Sequence, residues 1–360
     1  MPYCGLKQIT LLLLVSLFSL SGCAAKIDSR ANNNDRAKAR LVSENADNRL
    51  NVIKERGSLI CGVNGQLPGF SSVNDNGNYS GMDVDLCRAV ASALFDDPNA
   101  VEFRNLNAEE RFTALQTGEI DLLSRNTTWT LSRDAVDGMD FTPITFYDGQ
   151  GLLVSQDSEI RSLEDLDRKR VCVVSGTTTQ QNLAEQMQKH DLSYVPVIFE
   201  DADRLYIAYE RGDCEVATGD RSQLISRRAT LKNPEQHQVL NLVLSKEPLS
   251  PVVADGQPEW FDVVKWVTYA TIKAEELGVN SQNVNSFTRT DNPQIQRFLG
   301  MEGNLGRDMG LSPDFAKRAI EQVGNYGEIY ERNIGKPYGL PRGVNALWKN
   351  GGLMYAPPFR

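Results

Sequence analysis

Histidine is nearly absent from this chain: there are two in 360 residues, His190 and His237. Both stand in polar stretches, so surface positions are expected for them. So sparse a supply leaves little for a histidine-ligated metal site or a Ser-His-Asp triad. No two cysteines are spaced as CxxC, so a zinc ribbon or a thioredoxin-like motif is not expected. Positive charge is also in deficit, with 38 Lys and Arg against 47 Asp and Glu and a formal net charge of -9. That balance offers no basic face, and no nucleic-acid partner is expected. What remains is ordinary: 41% hydrophobic and 24% charged residues, enough length for two domains and a buried core.

The one long apolar run lies near the N-terminus. One lysine, Lys7, precedes the stretch Ile9 to Leu20, which is shorter than the ~20 residues of a membrane span and fits a signal h-region. It ends in Leu20-Ser21-Gly22-Cys23, which resembles the bacterial lipoprotein box. Residues 1–22 are therefore expected to be a signal peptide, with Cys23 acylated as the first mature residue and holding the protein to a membrane. Residues 23–50 follow as a polar tether containing Asn32-Asn33-Asn34, and a flexible spacer is expected there. No later run approaches membrane length. Of six cysteines, Cys4 leaves with the signal and Cys23 takes lipid; Cys61, Cys87, Cys172 and Cys214 remain. An even remainder in an exported chain suggests two disulfides, for which three pairings exist.

The rest alternates strand and helix patterns. Gly57–Val63 reads as a strand, and Met82–Phe95 as a helix with Val84, Cys87, Ala91 and Leu94 on one face. A second helix is expected from about Ala108 to Thr117, followed by strand Ile120–Leu123. Arg170–Val174 is again a strand, then Ser175-Gly176-Thr177-Thr178-Thr179 turns into a helix. The string Ala114-x3-Gly118-Glu119-x-Asp121 returns as Ala208-x3-Gly212-Asp213-x-Glu215. Two α/β lobes of one grammar are implied. Gly149–Val154 looks like a strand crossing between them, and Leu249–Val253 like the return.

Three strings carry a family resemblance: Gly81-Met82-Asp83-Val84-Asp85-Leu86, then Arg111-Phe112-x-x-Leu115-x-x-Gly118-x-x-Asp121, then Asp140-Phe141-Thr142 with Tyr147. Together they resemble the polar amino-acid-binding proteins of bacterial ABC importers, family 3 of the extracellular solute-binding proteins. The tail, with Val323–Glu328, Gly343–Trp348 and Gly351–Pro358, resembles the general L-amino-acid-binding subfamily. The resemblance implies an α/β, two-lobe periplasmic binding protein fold of type II with a two-strand hinge. Lobe 1 would comprise 51–148 and 255–360, and lobe 2 with the hinge strands 149–254. It also implies a free L-amino acid in the interlobe cleft, delivery to ABC permease subunits, a monomer, no cofactor, no metal and no catalysis. An enzyme on the same fold, such as a prephenate-like dehydratase, and an amino-acid sensor subunit are the alternatives.

An amino acid always offers a carboxylate and an ammonium. A guanidinium grips the first bidentately and a buried carboxylate grips the second. The family motif places the carboxylate arginine at Arg133, with donors at Asn126 and Thr128. From lobe 2 it places Thr178, with Thr177 beside it, where free N–H groups open a helix. The ammonium-binding acid falls at Asp220. Arg125 would reach the ligand side chain or pair with an acid. Leu67 stands where many relatives stack an aromatic residue on the ligand, which implies a loose side-chain pocket. Trp129 would replace that stacking or pack beneath the loop. The placement of each cysteine within one lobe gives Cys61–Cys87 and Cys172–Cys214 as the expected disulfides.

Overall fold

The computed structural model describes residues 48–360 apart from Val136. The signal segment, Cys23 and nearly all of the tether lie outside the described residues. The described residues open on helix α1 (Arg49–Arg56), which begins within the span expected to be tether. Asn48 caps it by accepting from the Asn51 N–H at 3.2 Å. Leu50 and Ile53 are buried, and Arg49 and Arg56 both pair with the buried Asp121. The last residues assigned to the tether therefore belong to lobe 1, because these contacts repay the entropy of ordering them.

Lobe 1 is built on β1 (Leu59–Val63), the small meander β2 (Gln66–Leu67), β3 (Ser71–Val73) and β4 (Tyr79–Ser80), then α2 (Met82–Phe95), β5 (Val101–Asn105), α3 (Arg111–Gln116), β6 (Leu122–Leu123), α4 (Leu131–Ala135) and β7 (Met139–Phe141). The helix expected from Ala108 starts three residues later. The Asn107 side chain accepts from the N–H groups of Glu109 and Glu110, each at 2.9 Å, and so shapes a turn ahead of α3. Strand β8 (Phe146–Ser155) carries the chain into lobe 2, which contains β9 (Arg170–Val174), α5 (Thr178–Lys189), β10 (Val195–Phe199), α6 (Ala202–Glu210), β11 (Val216–Asp220), α7 (Arg221–Arg228) and β12 (His237–Val239). Strands β13 (Lys246–Leu249) and β14 (Val252–Ala254) return it to lobe 1, where α8 (Pro258–Leu277) follows.

The two sheets have one topology. The first is ordered β5-β1-β6-β14-β7 and the second β10-β9-β11-β8-β12. In each, three parallel strands are followed by one antiparallel strand contributed by a crossing segment. The repeated Ala-x3-Gly string stands at the same place in both lobes, at the turn between α3 and β6 and between α6 and β11. At the crossing itself, Phe146–Gly149 pairs with Lys246–Leu249. Gln150–Val154 already lies within the second sheet and Val252–Ala254 within the first. The hinge thus falls a few residues ahead of the spans 149–154 and 249–253, since the apolar pattern runs on from the crossing into each sheet.

Residues beyond α8 pack on lobe 1. Phe315, Ala319, Ile320, Tyr326 and Tyr330 join the apolar core that also holds Val90, Trp260 and Val267. The tail also reaches the hinge. Pro248, the partner of Tyr147 across the crossing strands, has no N–H to offer. Asn345 meets Tyr147 from the other side, accepting its N–H at 2.7 Å and donating to its carbonyl at 3.0 Å.

Both expected disulfides are present. Cys61 on β1 joins Cys87 on α2, and Cys172 on β9 joins Cys214 just ahead of the neighbouring β11. By loop-closure entropy each should stabilise its lobe by roughly 3–4 kcal/mol. Reduction should lower the unfolding midpoint without merging the lobes, and non-reducing peptide mapping should find both pairs and no cross-lobe pair. His190 is exposed as expected. His237 is not a loop residue: it opens β12 and is half-buried, with its Nδ1 2.9 Å from the Tyr209 hydroxyl.

Candidate ligand-binding cleft

After β6 the chain turns through Ser124–Trp129 at the mouth of the first sheet. Asn126 holds a left-handed backbone, φ +35°, which a non-glycine residue keeps only with support. Asp83, near the start of α2, supplies it. Its carboxylate accepts from the Asn126 N–H at 3.0 Å and from the Ser124 hydroxyl at 3.3 Å. Burial pushes the Asp83 carboxyl up to about 6, against the opposing pull of those bonds and of the Arg125 charge. The loop is also laced to the second crossing segment. Trp129 N–H donates to the Pro248 carbonyl at 2.8 Å, and Ser250 N–H to the Thr127 carbonyl at 3.0 Å. These bonds make a bridge at Thr128 and Leu249 without using the N–H of Thr128 itself.

Arg133 sits in α4, one turn on. Its Nη1 donates to the Thr128 carbonyl at 2.8 Å, and its guanidinium lies over the Phe112 ring at 5.2 Å. Arg125 is buried too, with Nε donating to the Leu106 carbonyl at 2.8 Å. Burial pushes Arg125 down to about 10 and lowers Arg133, with nearby carboxylates opposing both shifts.

Lobe 2 faces this loop with the start of α5 and the end of β11. Thr177 is the N-cap: its hydroxyl accepts from the Gln180 N–H at 3.2 Å and donates to the Val174 carbonyl at 2.6 Å. The N–H groups of the first helical turn have no intrahelical acceptor and favour an anion. Asp220 ends β11 and is buried. It is not paired with Arg221, whose Nη1 donates to the carbonyls of Leu240 and Leu242 at 2.6 and 2.9 Å. Instead its carboxylate accepts from Asn126 Nδ2 of the opposite lobe at 3.3 Å. Burial, then the Asp148 and Glu247 charges, raises the Asp220 carboxyl well above its ordinary range.

Arg133, Asp220, Asn126, Thr128, Thr177 and Thr178 therefore line one interlobe chamber. It adjoins a larger cavity of about 160 Å³ that shares Arg125, Asn126, Thr177 and Thr179 and extends past Asn107, Asp201 and Tyr206. Leu67 is buried in the core of lobe 1 and lines neither space. Trp129 stacks on Phe141, centroids 5.7 Å apart and planes 3° apart, so it packs beside the loop.

Three residues of this region were not singled out from sequence. Arg111 lines the chamber, is 3% exposed, and has its Nε without a hydrogen-bond partner. Burial and the charges of Arg125 and Arg133 push its guanidinium below the ordinary value. Gln223 of α7 lines both spaces. Glu247 of β13 is 1% exposed and accepts from the Thr128 hydroxyl at 2.6 Å and the Thr178 hydroxyl at 2.9 Å. Each of these hydroxyls has one proton, and here both protons are directed to Glu247. The backbone N–H groups and Arg133 remain as anion donors. Arg111 opens one of the strings that carry the family resemblance, but that string does not mark its burial, and no string lies on Gln223 or Glu247.

Two lobes of equal topology, joined by paired crossing strands and lining one polar cleft, make a periplasmic binding protein fold. The chain belongs to the bacterial extracellular solute-binding proteins, family 3, which it matches over residues 59–296. It is 50% identical to the general L-amino acid-binding periplasmic protein AapJ of Rhizobium johnstonii, over 86% of this chain and 92% of that protein. It is 47% identical to the glutamate/glutamine/aspartate/asparagine-binding protein BztA of Rhodobacter capsulatus, over 86% and 93%. A solved ABC-transporter periplasmic binding protein from Brucella ovis, with glutathione bound, superimposes with a TM-score of 0.84 at 47% identity, over 86% of this chain and 99% of that one.

Proposed function

We propose that this chain is the substrate-binding component of an ABC amino-acid importer, holding free L-amino acids between its lobes and delivering them to a membrane permease. One observation carries the reading. A guanidinium with backbone donors (Arg133, Thr128) and a buried carboxylate (Asp220) face the same small chamber from opposite lobes. These are the complements of an α-carboxylate and an α-ammonium. Arg133, Asn126 and Thr128 on lobe 1, and Thr177, Thr178 and Asp220 on lobe 2, are the contact residues. The adjoining cavity would take the side chain, and its size suits broad specificity. The names of AapJ and BztA agree with this reading. So does glutathione in the Brucella protein, because glutathione ends in a free α-ammonium and α-carboxylate. A ligand touching both lobes favours the closed arrangement by the difference in its affinity for closed and open forms. The protein acts as a monomer in the periplasm.

Calorimetric titration of the twenty L-amino acids into the full chain carrying Cys23→Ser tests this. Saturable one-site binding of several is expected; no heat with any of them would defeat it. We also propose that Cys23 is acylated and anchors the protein to a membrane. Labelled palmitate should enter the native chain and not the Cys23→Ser variant, which should partition into the aqueous phase of a detergent extract.

A further inference from the structure

We propose that Glu247 is a positioning residue that fixes the hydroxyls of Thr128 and Thr178 as acceptors for a ligand ammonium, and so selects α-amino acids over their α-hydroxy analogues. The inference rests on the amino-acid reading of the cleft.

Glu247 belongs to neither lobe. It stands on β13, the second crossing strand, and takes one hydroxyl from each side: Thr128 Oγ1 at 2.6 Å from lobe 1 and Thr178 Oγ1 at 2.9 Å from lobe 2, both to Oε2. Its other oxygen, Oε1, accepts from Asn182 Nδ2 at 2.7 Å and from the Ser245 hydroxyl. All four neighbours can donate, and a carboxylate at this place accepts from each of them. A hydroxyl has one proton and two lone pairs. With both protons directed to Oε2, the two threonine oxygens, 3.4 Å apart, present lone pairs to the chamber that Thr128 and Thr178 line. An ammonium carries three protons, one for each of these oxygens and one for Asp220, which lines the same chamber. The hydroxyl of an α-hydroxy acid carries one proton and no charge. It leaves at least one oxygen facing a lone pair, an arrangement that costs affinity because a buried acceptor goes unmet. Selectivity at this point therefore comes from the direction of two protons, which Glu247 sets from a place the ligand does not touch.

The test compares L-glutamate with (S)-2-hydroxyglutarate, which differ only in that group, by calorimetry on the full chain carrying Cys23→Ser. The same chain with Glu247→Gln replaces Oε2 or Oε1 by an amide donor, which frees a threonine proton to turn toward the chamber. The ratio of the two affinities should narrow by tenfold or more, through loss of glutamate binding. Glu247→Asp, which keeps the charge, should retain part of the ratio. A Glu247→Gln variant that loses both ligands alike, or neither, would overturn the proposal and leave Glu247 a structural brace. Should Glu247→Gln fail to fold, Thr178→Val deletes one acceptor while keeping Glu247, and an unchanged ratio there would overturn it equally. Failure of the parent chain to bind L-glutamate would instead strike the amino-acid reading beneath.

Discussion

Replacing Arg133 with lysine should weaken every amino-acid ligand, whatever its side chain. The α-carboxylate is common to all of them, and an ammonium cannot supply the two parallel N–H donors of a guanidinium. Arg133 is buried, and its Nη1 is fixed by the Thr128 carbonyl at 2.8 Å, so its remaining donors are held in place before a ligand arrives. The expected loss is roughly 2–5 kcal/mol, the range for truncating one partner of a buried charge pair. Asp220→Asn should cost every ligand in the same way through the ammonium. Calorimetry over a panel of small, apolar, acidic and basic amino acids reads both variants. Near-normal affinity for most of the panel would remove Arg133 from the common end of the site.

Arg111→Met should have two opposite effects. Arg111 is 3% exposed, its Nε has no hydrogen-bond partner in the protein, and its guanidinium rests on the Phe112 ring at 4.8 Å. A buried charge so poorly compensated costs stability, and an apolar residue of similar volume should raise the thermal midpoint. The same guanidinium faces the chamber beside Arg125, and a ligand carrying a second carboxylate would compensate it. Affinity for L-glutamate and L-aspartate should therefore fall about tenfold to a hundredfold, or roughly 1.4–2.8 kcal/mol. Affinity for L-alanine should change little. Equal losses for all three would make Arg111 a helper of Arg133 at the α-carboxylate rather than a reader of the side chain. The pairing of lower stability with a prepared anion site is what a binding cleft trades for selectivity.

The sequence disclosed the parts of this molecule that repeat or cluster locally. The Ala-x3-Gly string announced two equivalent lobes, and the sheets carry it at equivalent turns. The hydroxyl-rich run ending at Arg133 and the Thr177–Thr179 helix start were legible because caps and anion donors are written in adjacent residues. The disulfides followed from which cysteines shared a lobe. Glu247 was hidden because nothing near it marks it. Ser245-Lys246-Glu247-Pro248 reads as a polar turn, and its partners Thr128 and Thr178 lie 119 and 69 positions away. The place of Arg111 in the cleft was hidden for a related reason, although Arg111 itself opens one of the family strings. An arginine opening a short helix reads as a solvated charge until the second lobe covers it. The hinge was displaced by a few residues because an apolar strand pattern does not announce where it leaves one sheet for another.

The central claim is that one amino acid is gripped from both lobes at once. Backbone hydrogen exchange on the full chain carrying Cys23→Ser, with and without a saturating L-amino acid, tests it most directly. Segments 124–133 and 175–183 hold the N–H groups of Thr128 and of the first turn of α5, which a bound carboxylate would engage. Both segments should slow together, over the same ligand concentrations, and Arg133→Lys should remove the protection from both. Protection of one segment alone, with the other exchanging as it does in the free protein, would contradict the account and confine the ligand to a single lobe.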